Sequence, residues 1–144
     1  MFFLGVFALM GLLAAAAIRL FTRDAWSRAG LPGRLHLVSG WALTMLGIIH
    51  VAATPVFHDR LTGAALWFAS GGVAMSVTGG MNVLRVLYAG VAPGVRYACI
   101  AANLAMLVLA STFAWRAGAA MVNSPQYGVL LVLVAMVFAL SLRR

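Results

Sequence analysis

Apolar residues run through this chain in long blocks, and most of the charged residues gather in the short gaps between them. Five blocks, of about 17–24 residues each, match the length that crosses a ~30 Å hydrocarbon core. They cover residues 2–20, 35–54, 64–87, 97–115 and 126–142. In lipid an unpaired backbone amide costs several kcal/mol, so a spanning segment is a helix or part of a closed barrel. Barrel strands alternate apolar and polar residues over about ten positions, and nothing here alternates. The expected fold is therefore an all-α integral membrane protein, a single domain of five transmembrane helices.

The first block lacks the positively charged start and the clean small-residue cleavage site of a secretory signal, so it is read as a retained helix. The last is the shortest, but Ser124-Pro125 supplies a capping hydroxyl followed by Pro at the first helical position. Charge sets the direction of threading, because Arg-rich short loops stay cytoplasmic. Arg19, Arg23, Arg28 and Arg34 flank the first gap, Arg85 and Arg96 flank the third, and Arg143 and Arg144 end the chain, while only Arg60 and Arg116 occupy the other gaps. With five spans this places the N-terminus outside and the C-terminus in the cytoplasm.

Composition narrows the function by exclusion. The chain is 65% hydrophobic and 8% charged, with a net charge of +8. In a membrane chain that excess anchors helix ends and touches anionic headgroups, so no nucleic-acid partner is expected. All ten basic residues are Arg, the usage of GC-rich bacterial coding, which points to a bacterial inner membrane. The single cysteine, Cys99, excludes an internal disulfide. Glu is absent and both Asp residues, Asp24 and Asp59, lie in gaps, whereas ion-coupled transporters bury a carboxylate within a span. No P-loop, HExxH or GxSxG motif occurs, which weighs against an enzyme and leaves no catalytic residue to assign.

The second block holds the first candidate constellation. His36 and His50 are fourteen residues apart, about 40° short of four full turns, so they share a helix face some 21 Å apart along the axis. Gly40 and Gly47 lie on the same stripe. A face with an imidazole at each end and bare backbone between them resembles the helix of cytochrome b-type proteins that ligates two haems. The resemblance covers one helix of five and implies haem b as a cofactor. No other block contains a His, so a second axial ligand would have to come from a symmetric copy or from a Met. Without haem, His36 reads as an interfacial residue and His50 as a hydrogen-bonding partner of a neighbouring helix.

Three further groups carry candidate chemistry. His50, His58 and Asp59 form a donor set suited to a divalent metal, provided the chain turns back at Pro55. Trp41, Thr54, Asn82, Arg85 and Asn103 are candidate ligand-binding residues, with Asn82 and Asn103 expected to pair with each other. The third block is rich in small residues, notably Gly71, Gly72, Gly79 and Gly80, which marks it as the packing centre against the second block. The expected function is a non-catalytic accessory or assembly subunit of a membrane complex, or a homo-oligomer. The alternatives are a binder of haem, quinone or another hydrophobic ligand on the His36/His50 face, and a small permease.

Overall fold

The computed structural model describes residues 16, 18–19, 22–88, 90–118 and 123–143, and the expected first span, 2–20, lies almost wholly outside them. The described residues are helical with short connections and contain no strand. A short helical run, 22–28, precedes four long helices: α1 (Leu31–Phe57), α2 (Gly63–Tyr88), α3 (Pro93–Ala117) and α4 (Pro125–Leu142). Three of these, Leu31–Phe57, Pro93–Arg116 and Pro125–Leu142, are long and apolar enough to cross a membrane. The glycines and hydroxyl residues of α2 keep it out of that set. Its outward face is nonetheless apolar, with Val73 and Val77 exposed, as are Ile48 and Ile49 of α1, Leu104 and Val108 of α3 and Val129 and Val132 of α4. Such a surface suits contact with lipid.

Local chemistry accounts for the helix ends. Pro residues begin α1, α3 and α4, where the missing N–H would have no intrahelical partner anyway. Ser124 accepts a hydrogen bond from the Tyr127 amide at 3.4 Å, as its position before Pro125 predicts. Thr62 does the same for Ala65 at the start of α2 (3.2 Å). Gly118 ends α3 with φ of 72°, a conformation costly for any residue with a Cβ. The expected turn at Pro55 does not form. The helix carries on through Pro55 to Phe57, and the His58 amide closes it on Thr54 O at 3.0 Å. Pro removes one donor but leaves room for a final turn after it.

The four helices form a ring in which each packs on the next and α4 closes back on α1. They alternate in direction: Asn82 of α2 meets Asn103 of α3, Tyr127 of α4 meets Ala110 of α3, and His50 of α1 meets Phe68 of α2. A central layer of Leu43, Met75, Met106, Val134 and Val137 draws at least one residue from every helix.

The tightest contact is α1 on α2, as the small residues anticipate. Each helix offers two glycines seven residues apart, Gly40 and Gly47 on one and Gly72 and Gly79 on the other. A Cβ at Gly40 would lie 3.1 Å from Gly79 O, and one at Gly72 only 2.8 Å from Gly47 O. Across the same seam Ser76 donates to Thr44 O at 3.3 Å. Gly80 is off this face, since a Cβ there would meet nothing within 4 Å, and one on Gly71 would touch α1 only at His50 Nε2, 3.9 Å away.

Candidate functional site

Buried polar groups collect toward one end of the ring. Asn82 is fully buried on α2, and its amide nitrogen donates to Thr78 O (2.8 Å) and to Asn103 Oδ1 (2.7 Å). Only a nitrogen can donate to the Thr78 carbonyl, which fixes the orientation of the amide. Asn82 Oδ1 is therefore an acceptor, and the His36 Nε2 at 2.6 Å must carry its hydrogen there. Cys99 Sγ (3.2 Å) and Asn103 Nδ2 (3.0 Å) approach the same oxygen. Asn103 Nδ2 also reaches Val137 O at 3.2 Å. One network thus ties α1, α2, α3 and α4 together. Each polar atom exchanges water for a protein partner, as the low dielectric demands.

Next to the network lies a cleft of about 210 Å³ between the first turn of α1 and the last turns of α2 and α4. Pro32, Gly33 and His36 line one side, and Arg85, Leu140 and Arg143 line the other. Arg85 is only 9% exposed, and its guanidinium donates to Leu140 O (3.2 Å) and Arg143 O (2.6 Å). Arg96 donates to Leu142 O at 3.2 Å. Two cations therefore satisfy the last carbonyls of α4, where the helix dipole is negative. His36 belongs to both features: it bonds to Asn82 and it walls the cleft.

The structure gathers some of the sequence-derived candidates and separates others. Asn82 and Asn103 pair, as expected. His36 is buried and bonded to Asn82. His50 stacks on Phe68 of α2 with ring centroids 3.8 Å apart, and His58 meets the same ring edge-on at 5.6 Å. Asp59 is exposed, and among the described residues no three His, Cys or Asp side chains group to hold a metal ion. Thr54 donates to His50 O of its own helix at 3.4 Å. Trp41 is half-buried, and its indole nitrogen is buried with no hydrogen-bond partner among the described residues.

The stripe of His36, Gly40, Gly47 and His50 does not fit a porphyrin. The room at its glycines is filled by the backbone of α2, and His36 Nε2 is held by Asn82.

Several contributors escape sequence reading. Cys99 sits one turn before Asn103, a spacing that puts both on one helix face, but nothing marks the thiol as part of the polar core. Tyr127 resembles an ordinary belt aromatic, yet it is buried and its hydroxyl donates to Ala110 O at 2.9 Å. The cleft walls Pro32, Gly33 and Leu140 carry no signal at all. Comparison of the chain with protein-family models, curated proteins and solved structures returns no match.

Proposed function

We propose that this chain is a non-catalytic membrane subunit that works by associating with other membrane helices, either of partner subunits or of its own copies. In this reading it crosses a bacterial inner membrane five times, with the N-terminus outside and the C-terminus cytoplasmic. Arg34, Arg85, Arg96 and Arg143 all belong to the end of the ring assigned to the cytoplasm, and Arg60 and Arg116 to the other.

The observation that carries the reading is the outer face of α3. Ala101, Ala105 and Thr112 line an apolar groove of about 510 Å³ with Leu104, Val108 and Leu109 as its ridges. Lipid tails are as apolar as Leu, so membrane helices associate through close van der Waals packing, which small residues permit. A groove of small residues between larger ones is the shape that accepts another helix. The interior supports the same reading, since the polar side chains of the network bond to one another and to helix carbonyls.

A photo-crosslinking residue in place of Ala105, in intact membranes, tests this. It should yield a discrete adduct with a membrane protein, either a second copy or another subunit. Ala105→Phe, which fills the groove, should abolish assembly without unfolding the bundle. Native mass spectra showing only monomers, together with no adduct from position 105, would overturn the proposal.

A further inference from the structure

We propose that the cleft between α1, α2 and α4 binds a phosphate group, that of an anionic phospholipid headgroup, through Arg85, Arg143 and His36. The inference is independent of the assembly reading, which rests on a different face.

The first argument is charge without a partner acid. The chain has only two carboxylate side chains, Asp24 and Asp59. Asp24 is exposed and does not line the cleft, and Asp59 precedes α2 and so lies at the opposite end of that helix from Arg85. Arg85 meets carbonyl oxygens instead, and these take up two of its five donor hydrogens. Arg143 is exposed on the same cleft, so two cations face one small space. A guanidinium presents its remaining donors in a fixed fork that matches phosphate oxygens.

The second argument is size. At about 210 Å³ the cleft is smaller than the ~300–1,000 Å³ typical of sites for drug-sized ligands. It suits a headgroup phosphate and its first linkage, not a quinone or a porphyrin.

The third argument is depth. Arg85 lies three residues from the end of α2. Exposed Trp26, Tyr88 and Tyr97 mark the same end of the ring, and Arg34 sits over the Trp26 ring at 5.3 Å. Aromatic residues of this kind settle at headgroup level, and basic pockets between helices there accept anionic headgroups. Exposed Leu31, Leu35 and Leu142 beside the cleft offer a surface for acyl chains.

The test uses the full chain purified in a maltoside detergent, with lipid retention read by native mass spectrometry. Phosphatidylglycerol should be retained saturably, whereas diacylglycerol, which has similar chains and no phosphate, should not. Arg85→Gln should weaken retention roughly tenfold or more, the loss expected for a hydrogen bond to a charged group. Arg143→Gln should also weaken it, and because Arg143 is exposed this variant decides the matter if Arg85→Gln does not fold. Arg60→Gln, at the opposite end, should change nothing. Inorganic phosphate that stabilises the chain in an Arg143-dependent manner, with no phosphatidylglycerol retained, would keep the phosphate site and assign it to a soluble ligand. Equal retention of diacylglycerol, or phosphatidylglycerol retention indifferent to both cleft substitutions, would overturn the proposal. So would an equal loss in Arg60→Gln.

Discussion

Replacing Asn82 with Ala removes the hub of the polar network, and its cost can be bounded from the bonds present. Side-chain bonds cross between helices at this residue to three partners, His36, Cys99 and Asn103, the last in both directions. Interhelical bonds of this type average ~0.6 kcal/mol each in a membrane protein, so the bonds to His36 and to Asn103 Oδ1 alone give about 1.2 kcal/mol. The change also strands the His36 N–H and Asn103 Oδ1, while Asn103 Nδ2 keeps Val137 O, and an unsatisfied buried polar group costs ~1–3 kcal/mol. The expected destabilisation is therefore about 2–4 kcal/mol, measured as equilibrium unfolding in mixed maltoside–dodecyl sulfate micelles by tryptophan fluorescence. The diagnostic arm is the double variant Asn82→Ala/Asn103→Ala. Once both amides are gone, neither strands the other, so the double should cost about 1 kcal/mol less than the sum of the singles. Strict additivity, or a single-variant cost below ~0.5 kcal/mol, would refute the claim that the two amides form one network.

Other substitutions probe the remaining contacts. Gly47→Ala would drive a Cβ into Gly72 O and Ser76, and should cost ~1–3 kcal/mol by overpacking, whereas Gly80→Ala should be nearly silent in the same unfolding assay. His50→Ala should lose the stack on Phe68, ~0.5–1.5 kcal/mol, while membrane insertion stays intact; a chain that fails to insert would show that His50 does more than pack. Tyr127→Phe should lower stability by ~0.6 kcal/mol, the average for an interhelical bond, because only the bond to Ala110 O is lost; no change would mean that the hydroxyl is satisfied by another partner. A cytoplasm-active reporter fused after Arg144 should be active and one inserted between Trp115 and Pro125 silent, and the reverse pattern would overturn the proposed threading.

How much of this was legible beforehand divides along physical lines. Helices α1 to α4 follow from apolar run length, and the start of α4 from Ser124-Pro125, since both signals are local. The helices extend past the apolar blocks, α1 beginning at Leu31 rather than 35 and α3 at Pro93 rather than 97, because an interfacial turn need not be apolar. The choice of packing face on α2 was half legible. Small residues mark a seam, but only the neighbour's position shows that Gly72 and Gly79 face α1 while Gly80 does not. Periodicity placed His36 with Gly40 and Gly47 correctly and left open what covers them. A helix closes that stripe, as the small residues of the third block anticipate, whereas the spacing of the histidines alone does not distinguish a covering helix from a flat ligand. The cleft depends on three chain segments at once and is beyond any one-dimensional pattern. Its arginines were still countable, and their shared end follows from the alternation of the spans.

The two ends of the ring are built on different chemistry, and the difference follows from what each can satisfy. At the arginine end, polar side chains enter the interior because each finds a second polar group on a neighbouring helix. His36 has Asn82, Asn103 has Val137 O, and Arg85 has the last carbonyls of α4. Toward the other end His50 has an aromatic face instead, and the stack on Phe68 joins α1 to α2 there. The glycine seam lies between these two regimes and needs neither, since close backbone approach supplies dispersion contacts along its length. Helices α1 and α2 are thus joined by three kinds of contact in succession. The α3–α4 pair relies on separate hydrogen bonds, Arg96 to Leu142 O, Asn103 to Val137 O and Tyr127 to Ala110 O, set around the Met106–Val134 layer. That difference makes α1 and α2 the most closely packed pair of the ring. The side of α3 that carries the outward groove therefore belongs to the half with fewer internal ties, where a partner helix would add the most.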